Sequence, residues 1–275
     1  MLHAQFVKDI QSGPRLYNRT RSRYYKNYGR SIDSRWLERT NAGGRTLTPH
    51  KVLLSWSGGK DSAWALHLLR RDPSIDVVAL LTTFNSEFDR VAMHAVRREL
   101  MEQQAQAARL PLWAVPLPWP CSNEQYEQCM RQTLDRAIAE GIETVAFGDL
   151  FLEDIRAYRE IQMAKVNMTP LFPVWGIDTT ELAHEMIASG LKARLTCIDP
   201  RKLDASFAGR EFDENLLRDL PPGTDPCGEN GEFHSFVYAG PMFRHEIPIE
   251  TGEVVERDGF VFADLLPAKE AAAAR

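Results

Sequence analysis

The chain has 275 residues, 44% of them hydrophobic and 26% charged, with a formal net charge of -5. This is ordinary for a globular protein and suits one large α/β domain or one domain with a modest appendage. It excludes a membrane-spanning helix, because no run of about 18 apolar residues occurs.

The first residues lack the apolar stretch of a secretory signal. Cys121, Cys129, Cys197 and Cys227 have neither CxxC spacing nor the density of a disulfide framework, so a reduced, cytoplasmic setting is expected. Residues 1–50 carry ten Lys and Arg side chains against Asp9, Asp33 and Glu38. The segment is polar and has no sustained apolar periodicity, so it is read as a basic, flexible extension on an acidic body. Nothing in it presents an ordered basic helix, which argues against nucleic acid as a partner.

Order is expected from Lys51. Val52–Leu54 reads as a short buried strand, and the residues from Ala63 to Leu69 as a helix behind it. Asp76–Thr83 is an apolar, β-branched second strand. Residues 90–108 predict a helix, Leu112–Val115 a third strand, and Asn123–Glu140 a helix closed by Gly141. Thr144–Phe147 is a fourth strand ending at Gly148-Asp149. Strands alternating with helices give a Rossmann-like α/β fold, a mostly parallel sheet covered on both faces. Beyond it the pattern predicts a helix over 152–166, an irregular proline-punctuated loop over 169–176, a helix at Thr179–Ser189 and a strand at Ala193–Ile198. Leu220–Glu232 is too rich in Pro and Gly for regular structure. Phe233–Ala239 and a hairpin around Thr251–Glu253 complete a smaller C-terminal α+β portion. The expected division is therefore an extension (1–50), a nucleotide-binding domain (51–150), an acceptor-binding portion (151–267) and a tail (268–275).

The chemistry concentrates between the first strand and its helix, at Ser57-Gly58-Gly59-Lys60-Asp61-Ser62. Two glycines let backbone N–H groups turn toward phosphate oxygens, and the helix N-terminus adds partial positive charge. Lys60 offers a mobile full charge, and Ser57 and Ser62 offer hydroxyl donors. Asp61 beside phosphate calls for a divalent cation, because Mg²⁺ takes carboxylate and phosphate oxygens together. The glycines are adjacent, so this is not a Walker A loop, and GxGxxG is absent.

The hexapeptide resembles the SGGxDS PP-loop of the ATP pyrophosphatase superfamily, whose fold is of the Rossmann-like HUP type. Phe147-Gly148-Asp149-Leu150, Pro173-Val174-Trp175-Gly176 and Gly228-Glu229-Asn230-Gly231-Glu232-Phe233-His234-Ser235 resemble, in order, the GD, PLWG and GENGEFHT signatures of the diphthine–ammonia ligase family. Gly240-Pro241-Met242-Phe243 matches a piece that follows, and the resemblance runs from about Lys51 to about Ile249. Val174 stands where Leu is commoner, and Ser235 where Thr is.

The resemblance implies cleavage of ATP between the α and β phosphates, with AMP activating a carboxylate that ammonia then converts to an amide. The acceptor is the diphthine carboxylate on elongation factor 2 in the eukaryotic and archaeal ligases. A small acid of corrinoid type has been suggested for relatives in organisms without diphthine. ATP and Mg²⁺ are the implied cofactors, with Ser57 to Ser62 on the nucleotide, Lys60 on phosphate charge and Asp61 on the metal. Asp149 lies at a strand's carboxyl end, where open α/β sheets bind ligands, although an N-cap for the next helix is a competing role. Glu229, Glu232 and His234 are candidate catalytic groups for binding ammonium and taking its proton. Asn230 and Trp175 are candidate acceptor contacts, with core packing the alternative for Trp175. His94 is a weaker nucleotide candidate, and Cys227 is read as structural. No glutaminase module is visible, so free ammonia or a separate protein supplies nitrogen; a homodimer is open. A tRNA-modifying PP-loop enzyme and a non-catalytic nucleotide-binding regulator share the cradle and stay as alternatives.

Overall fold

Residues 48–91 and 95–268 are described by the computed structural model. Most of the basic extension (1–47), His94 and the tail from 269 lie outside them. The expected alternation is present: β1 (His50–Ser55), α1 (Lys60–Leu69), β2 (Ile75–Asn85), β3 (Arg90–Val91), α2 (Arg98–Ala108), β4 (Leu112–Leu117), α3 (Asn123–Ala139), β5 (Thr144–Ala146), α4 (Glu153–Ala164) and β6 (Thr169–Leu171). Then come α5 (Thr179–Ala188), β7 (Lys192–Ile198), a 3₁₀ turn (Ala205–Phe207), α6 (Glu214–Asp219), β8 (Phe233–Ala239), β9 (Ile249–Arg257) and β10 (Phe260–Pro267).

Five strands form a parallel sheet in the order β4–β2–β1–β5–β6, and β3 adds antiparallel to the end of β2. β1 is central, with Val52, Leu53 and Leu54 at most 1% exposed, which is why its sequence is an unbroken apolar run. Trp56, Trp64 and Leu66 complete this layer at no more than 2% exposure. Each such side chain contributes about 1.5–3 kcal/mol by leaving water. The strand order reverses between β1 and β5, so the chain leaving their carboxyl ends parts to opposite sides and opens a crevice there. A second sheet, antiparallel throughout, runs β8–β7–β10–β9.

Local chemistry accounts for the boundaries. Ser122 and Gln125 form a reciprocal capping box at the start of α3, and Asp178 caps α5 through the Thr180 and Glu181 amides. Three expectations are corrected. The helix predicted over 90–108 begins only at Arg98, because Arg90 and Val91 pair with Asn85 and Phe84 of β2 and Ala95 takes a positive φ of 52°. Thr169–Leu171, expected as irregular loop, pairs with β5; Pro170 is tolerated because β6 is an edge strand. The hairpin turns at Asp258-Gly259 (φ 53° and 78°), while Thr251-Gly252 lies inside β9. Asn-Gly or Asp-Gly with both φ positive matches the right-handed twist of paired strands. Leu220–Glu232 contains neither helix nor strand, as its composition dictates.

Candidate active site

The loop after β1 is anchored at its first residue, on both sides of the Trp56 backbone. The Trp56 amide donates to Leu81 O (2.8 Å), and Thr82 Oγ1 donates to Trp56 O (2.7 Å). Gly58 then takes φ 79°, and a Cβ there would lie 2.7 Å from Met101 Sδ and 2.9 Å from Gln104 Oε1. Gly59 is the N-cap of α1 and supplies no side chain, so the helix start stays open to an anion. Ser57 Oγ accepts from the Gly59 amide (3.2 Å) and sits 3.1 Å from Ser62 Oγ, so both hydroxyls line the same turn. The far wall is β8: the Lys60 amide donates to Ser235 Oγ (3.2 Å) and the Val237 amide to Gly58 O (2.9 Å). The loop thereby covers an outer edge of the second sheet that would otherwise leave strand amides unpaired.

Gly148 brings the end of β5 against this loop. A Cβ on it would meet Ser62 N at 2.8 Å and the Asp61 carbonyl carbon at 2.9 Å. Only glycine allows that approach, which sets Asp149 beside the helix start. Asp149 does not cap α4, whose N-cap is Leu152 with no side-chain bond. Instead its Oδ2 lies 3.5 Å from Arg159 Nε, an ion pair in which neither atom has a hydrogen-bond partner although both are buried.

Lys60 has a fixed position rather than the mobile charge expected of it. It is 2% exposed, its Nζ donates to Asp61 Oδ2 at 2.9 Å, and it stands 5.4 Å from the Phe233 ring centre and 5.9 Å from that of Phe212. Burial opposes its charge, but Asp61, helped by Cys227 and Glu229, outweighs it and holds the ammonium above the usual lysine range. The other Asp61 oxygen, Oδ1, is buried with no hydrogen-bond partner. A hard cation suits that atom. Among the described residues no three His, Cys, Asp or Glu side chains converge to hold a metal unaided. Mg²⁺ brought in on phosphates needs only one or two carboxylates, so Asp61 fits it.

The Gly-rich turn before β8 closes the site. Glu229 Oε1 accepts from the Leu150 amide (2.9 Å), tying the turn to the end of β5. Burial pushes the Glu229 carboxyl up to about 8; Asp61 adds to the rise, and the Leu150 bond and Lys60 pull against it. Glu232, 5% exposed, faces its own turn: Oε1 accepts from the Asp225 amide (3.1 Å) and from Asn230 Nδ2 (3.3 Å), while Oε2 is buried without a partner. The Asn230 carbonyl accepts from Lys202 Nζ. Strand alternation puts Phe233 and Ser235 on the loop side of β8 and His234 on the other face, opposite Cys197 of β7. Cys227 is buried, donates to Thr179 O at 3.4 Å and has its thiol pushed well up by burial, which fits the structural role expected of it.

Trp175 packs edge-on to Phe172 (5.9 Å), and Phe172 stacks on Phe147 (5.7 Å). The Arg156 guanidinium lies 4.8 Å from the Trp175 ring centre and 4.9 Å from that of Phe172, and Arg159 lies 4.9 Å from that of Phe147. Trp175 thus belongs to an aromatic wall faced by two arginines at the carboxyl ends of β5 and β6. Sequence reading missed these arginines and also Gln104, Phe212 and Asp225. Each lies far along the chain from the motif it serves or outside any motif, and only the spacing of Arg156 and Arg159 on one helical face offered a signal.

Comparison with known proteins bears on the same residues. The model of the diphthamide synthase N-terminal domain matches residues 50–167, and that of the C-terminal domain matches 178–264. The chain is 25% identical over 228 residues to the diphthine–ammonia ligase of Bos taurus, covering 75% of this chain and 85% of that protein. The Danio rerio protein of the same name is 27% identical over 233 residues, covering 75% and 89%. That of Schizosaccharomyces pombe is 25% identical over 224 residues, which are 75% of this chain but 37% of the longer yeast protein. The two domain models follow one another across the loop, the Gly148 approach and the Glu229 turn, and the chain belongs to the diphthamide synthase family.

Proposed function

We propose that this ATP-dependent carbon–nitrogen ligase adenylates a carboxylate and hands the acyl group to ammonia. In the first step a carboxylate oxygen attacks the α-phosphorus and the α–β bond breaks, giving acyl-AMP and pyrophosphate. In the second, ammonia attacks the acyl carbon, AMP leaves, and one proton is released with the amide. The observation that carries this reading is the open start of α1 beside the buried Lys60–Asp61 pair, closed over by Gly148. Amides there, with the Ser57 and Ser62 hydroxyls, grip the phosphates whose charge builds as pyrophosphate departs. Mg²⁺ held by Asp61 would neutralise part of that charge. Lys60 acts from inside, fixing the Asp61 carboxylate and adding positive potential under the loop. Glu229, which holds a proton up to about pH 8 before a cation binds, binds ammonium and receives its proton in the ionised form that the cation's charge favours, and Asp149 with the Arg156–Trp175 wall faces the acceptor. Glu232 and Asn230 hold the turn that carries Glu229. His234, on the face of β8 away from the loop, is the more remote proton carrier.

The relatives' name makes protein-borne diphthine the first acceptor to test and a small corrinoid-type acid the second. Purified protein is incubated with ATP, Mg²⁺, ammonium and each acceptor while AMP, ADP and pyrophosphate are followed. AMP and pyrophosphate are expected in equal amounts and dependent on one acceptor. Release of ADP and phosphate would refute adenylation. Lys60→Met, which keeps an unbranched side chain one atom shorter and removes the charge, is expected to lower kcat at least 100-fold, since Asp61 loses its partner under the phosphates. Unchanged turnover would remove lysine from the reaction.

A further inference from the structure

Gln104 on α2 carries no motif and is wholly buried, yet all of its strong hydrogen-bonding directions meet the phosphate loop or the strand behind it. Its Nε2 donates to Gly58 O (2.9 Å) and to Val237 O (2.6 Å), and its Oε1 accepts from Trp56 Nε1 (2.8 Å). The amide has only one orientation here, since two carbonyl oxygens require donors and an indole N–H requires an acceptor. Gly58 O receives a second bond from the Val237 amide, so its carbonyl is pulled inward by two donors. A trans peptide is planar, and its N–H points opposite to its C=O. Drawing the Gly58 carbonyl inward therefore drives the Gly59 N–H outward, into the turn where it now meets Ser57 Oγ at 3.2 Å.

We propose that Gln104 is the positioning residue that aims the Gly58–Gly59 peptide, so that the Gly59 N–H is a ready donor to nucleotide phosphate. It has no contact with phosphate itself and acts through the peptide. Gly58 needs this help, because glycine at φ 79° has many alternatives and its peptide is free to flip without a clamp. The two carbonyl bonds remove that freedom before the nucleotide arrives, and preorganised donors cost nothing to reorient during reaction. The clamp also joins β8 to the loop through Val237, so any displacement of the second sheet is felt at the peptide.

This inference rests on the proposed ATP reading, and the test separates the two. Equilibrium titration with ATP and Mg²⁺ is run on the wild-type chain, Gln104→Met and Gln104→Glu, with thermal unfolding measured alongside. Absence of binding by the wild type would sink the ATP reading. If the wild type binds, Gln104→Met is expected to weaken ATP at least tenfold while a far smaller change is seen for the acceptor's KM. Gln104→Glu provides a second route even if the Met variant fails to fold. Its carboxylate would face two carbonyl oxygens, but when protonated it regains one donor. Its ATP affinity relative to wild type should accordingly recover as pH is lowered. A merely structural role lowers the unfolding temperature and leaves ATP affinity within twofold of wild type at every pH, and that result would overturn the proposal.

Discussion

At the scale of single residues, the site is governed by how burial and charge are set against each other. Lys60 keeps its charge because Asp61 is 2.9 Å away, whereas Glu229 has only a backbone amide and a more distant lysine to favour its ionised form. The consequence for stability has a definite sign. Glu229 is pushed up to about 8 in the fold against 4.5 for an ordinary glutamate, so between those values the folded chain holds a proton that the unfolded chain has lost. Stability from this group is fully present below pH 4.5 and is lost as pH rises toward 8. Glu229→Gln keeps an acceptor for the Leu150 amide and carries no charge to desolvate. The variant should match wild type near pH 4.5 and become more stable with rising pH, by about 2 kcal/mol at pH 8 once solvent at its exposed edge is allowed for. Thermal unfolding across that range measures it. Curves that stay parallel would mean the carboxyl ionises normally. The same variant should lose amide formation while retaining ATP binding, because Glu229 lies on the turn and not on the loop.

At the scale of elements, the decisive contact is the passage of β5's end across the start of α1. Gly148→Ala puts a methyl group 2.8 Å from Ser62 N and 2.9 Å from the Asp61 carbonyl carbon, both of them backbone. No flexible side chain can swing aside, so one element must retreat. The expected result is at least a tenfold loss of ATP affinity with an unfolding temperature several degrees lower, since about 1 kcal/mol moves a domain of this size by about 2–4 °C. Normal affinity and stability together would show that the crevice opens at no cost. The need for this glycine could be suspected from Gly148-Asp149 at a strand end, but its reason is visible only once α1 is in place. What was legible was local. Val52–Leu54, two glycines and a helix-forming run specify β1, its turn and α1 within twenty residues, and the alternation that follows specifies the sheet. What was hidden depended on pairing at a distance. Pro170 disguised β6, because an edge strand tolerates proline and sequence does not reveal which strand is the edge. Arg90 and Val91 read as the start of a helix until β2's extension past Thr83 captured them. Gln104 sat in an ordinary amphipathic helix, and its three partners lie 46, 48 and 133 residues away.

At the scale of the whole molecule, the two sheets share the loop, and ion pairs elsewhere hold them in that relation. Asp264 on β10 accepts from Arg90 Nη1 (2.8 Å) and from Arg97 Nη2 (2.5 Å), linking the second sheet to β3 and the start of α2. Arg70, the C-cap of α1, adds a bond to Met242 O (2.7 Å) and the Arg244 amide one to Ala107 O (2.9 Å). Burial alone would raise the Asp264 carboxyl, but hydrogen bonds from Arg90 and Arg97 and their charges prevail and hold it below the usual aspartate range. The sign is therefore opposite to that at Glu229. This stabilisation is present above the ordinary aspartate value of 3.8 and is lost as pH falls through the lower value in the fold. Asp264→Asn removes the charge and leaves two arginines facing a neutral amide. About 1 kcal/mol should be lost at neutral pH, a modest figure because the arginines are partly open to solvent. Denaturant unfolding should show the two chains converging below pH 3.8, and a gap that persists there would assign the loss to packing. Because β8 holds Gly58 and Lys60 as well as β7, loosening the second sheet also relaxes the phosphate loop. The variant and the wild type are thus both expected to unfold in one transition, and the variant to bind ATP a few-fold more weakly. Two separate transitions in either chain would mean that the sheets fold independently and that the loop belongs to the first alone.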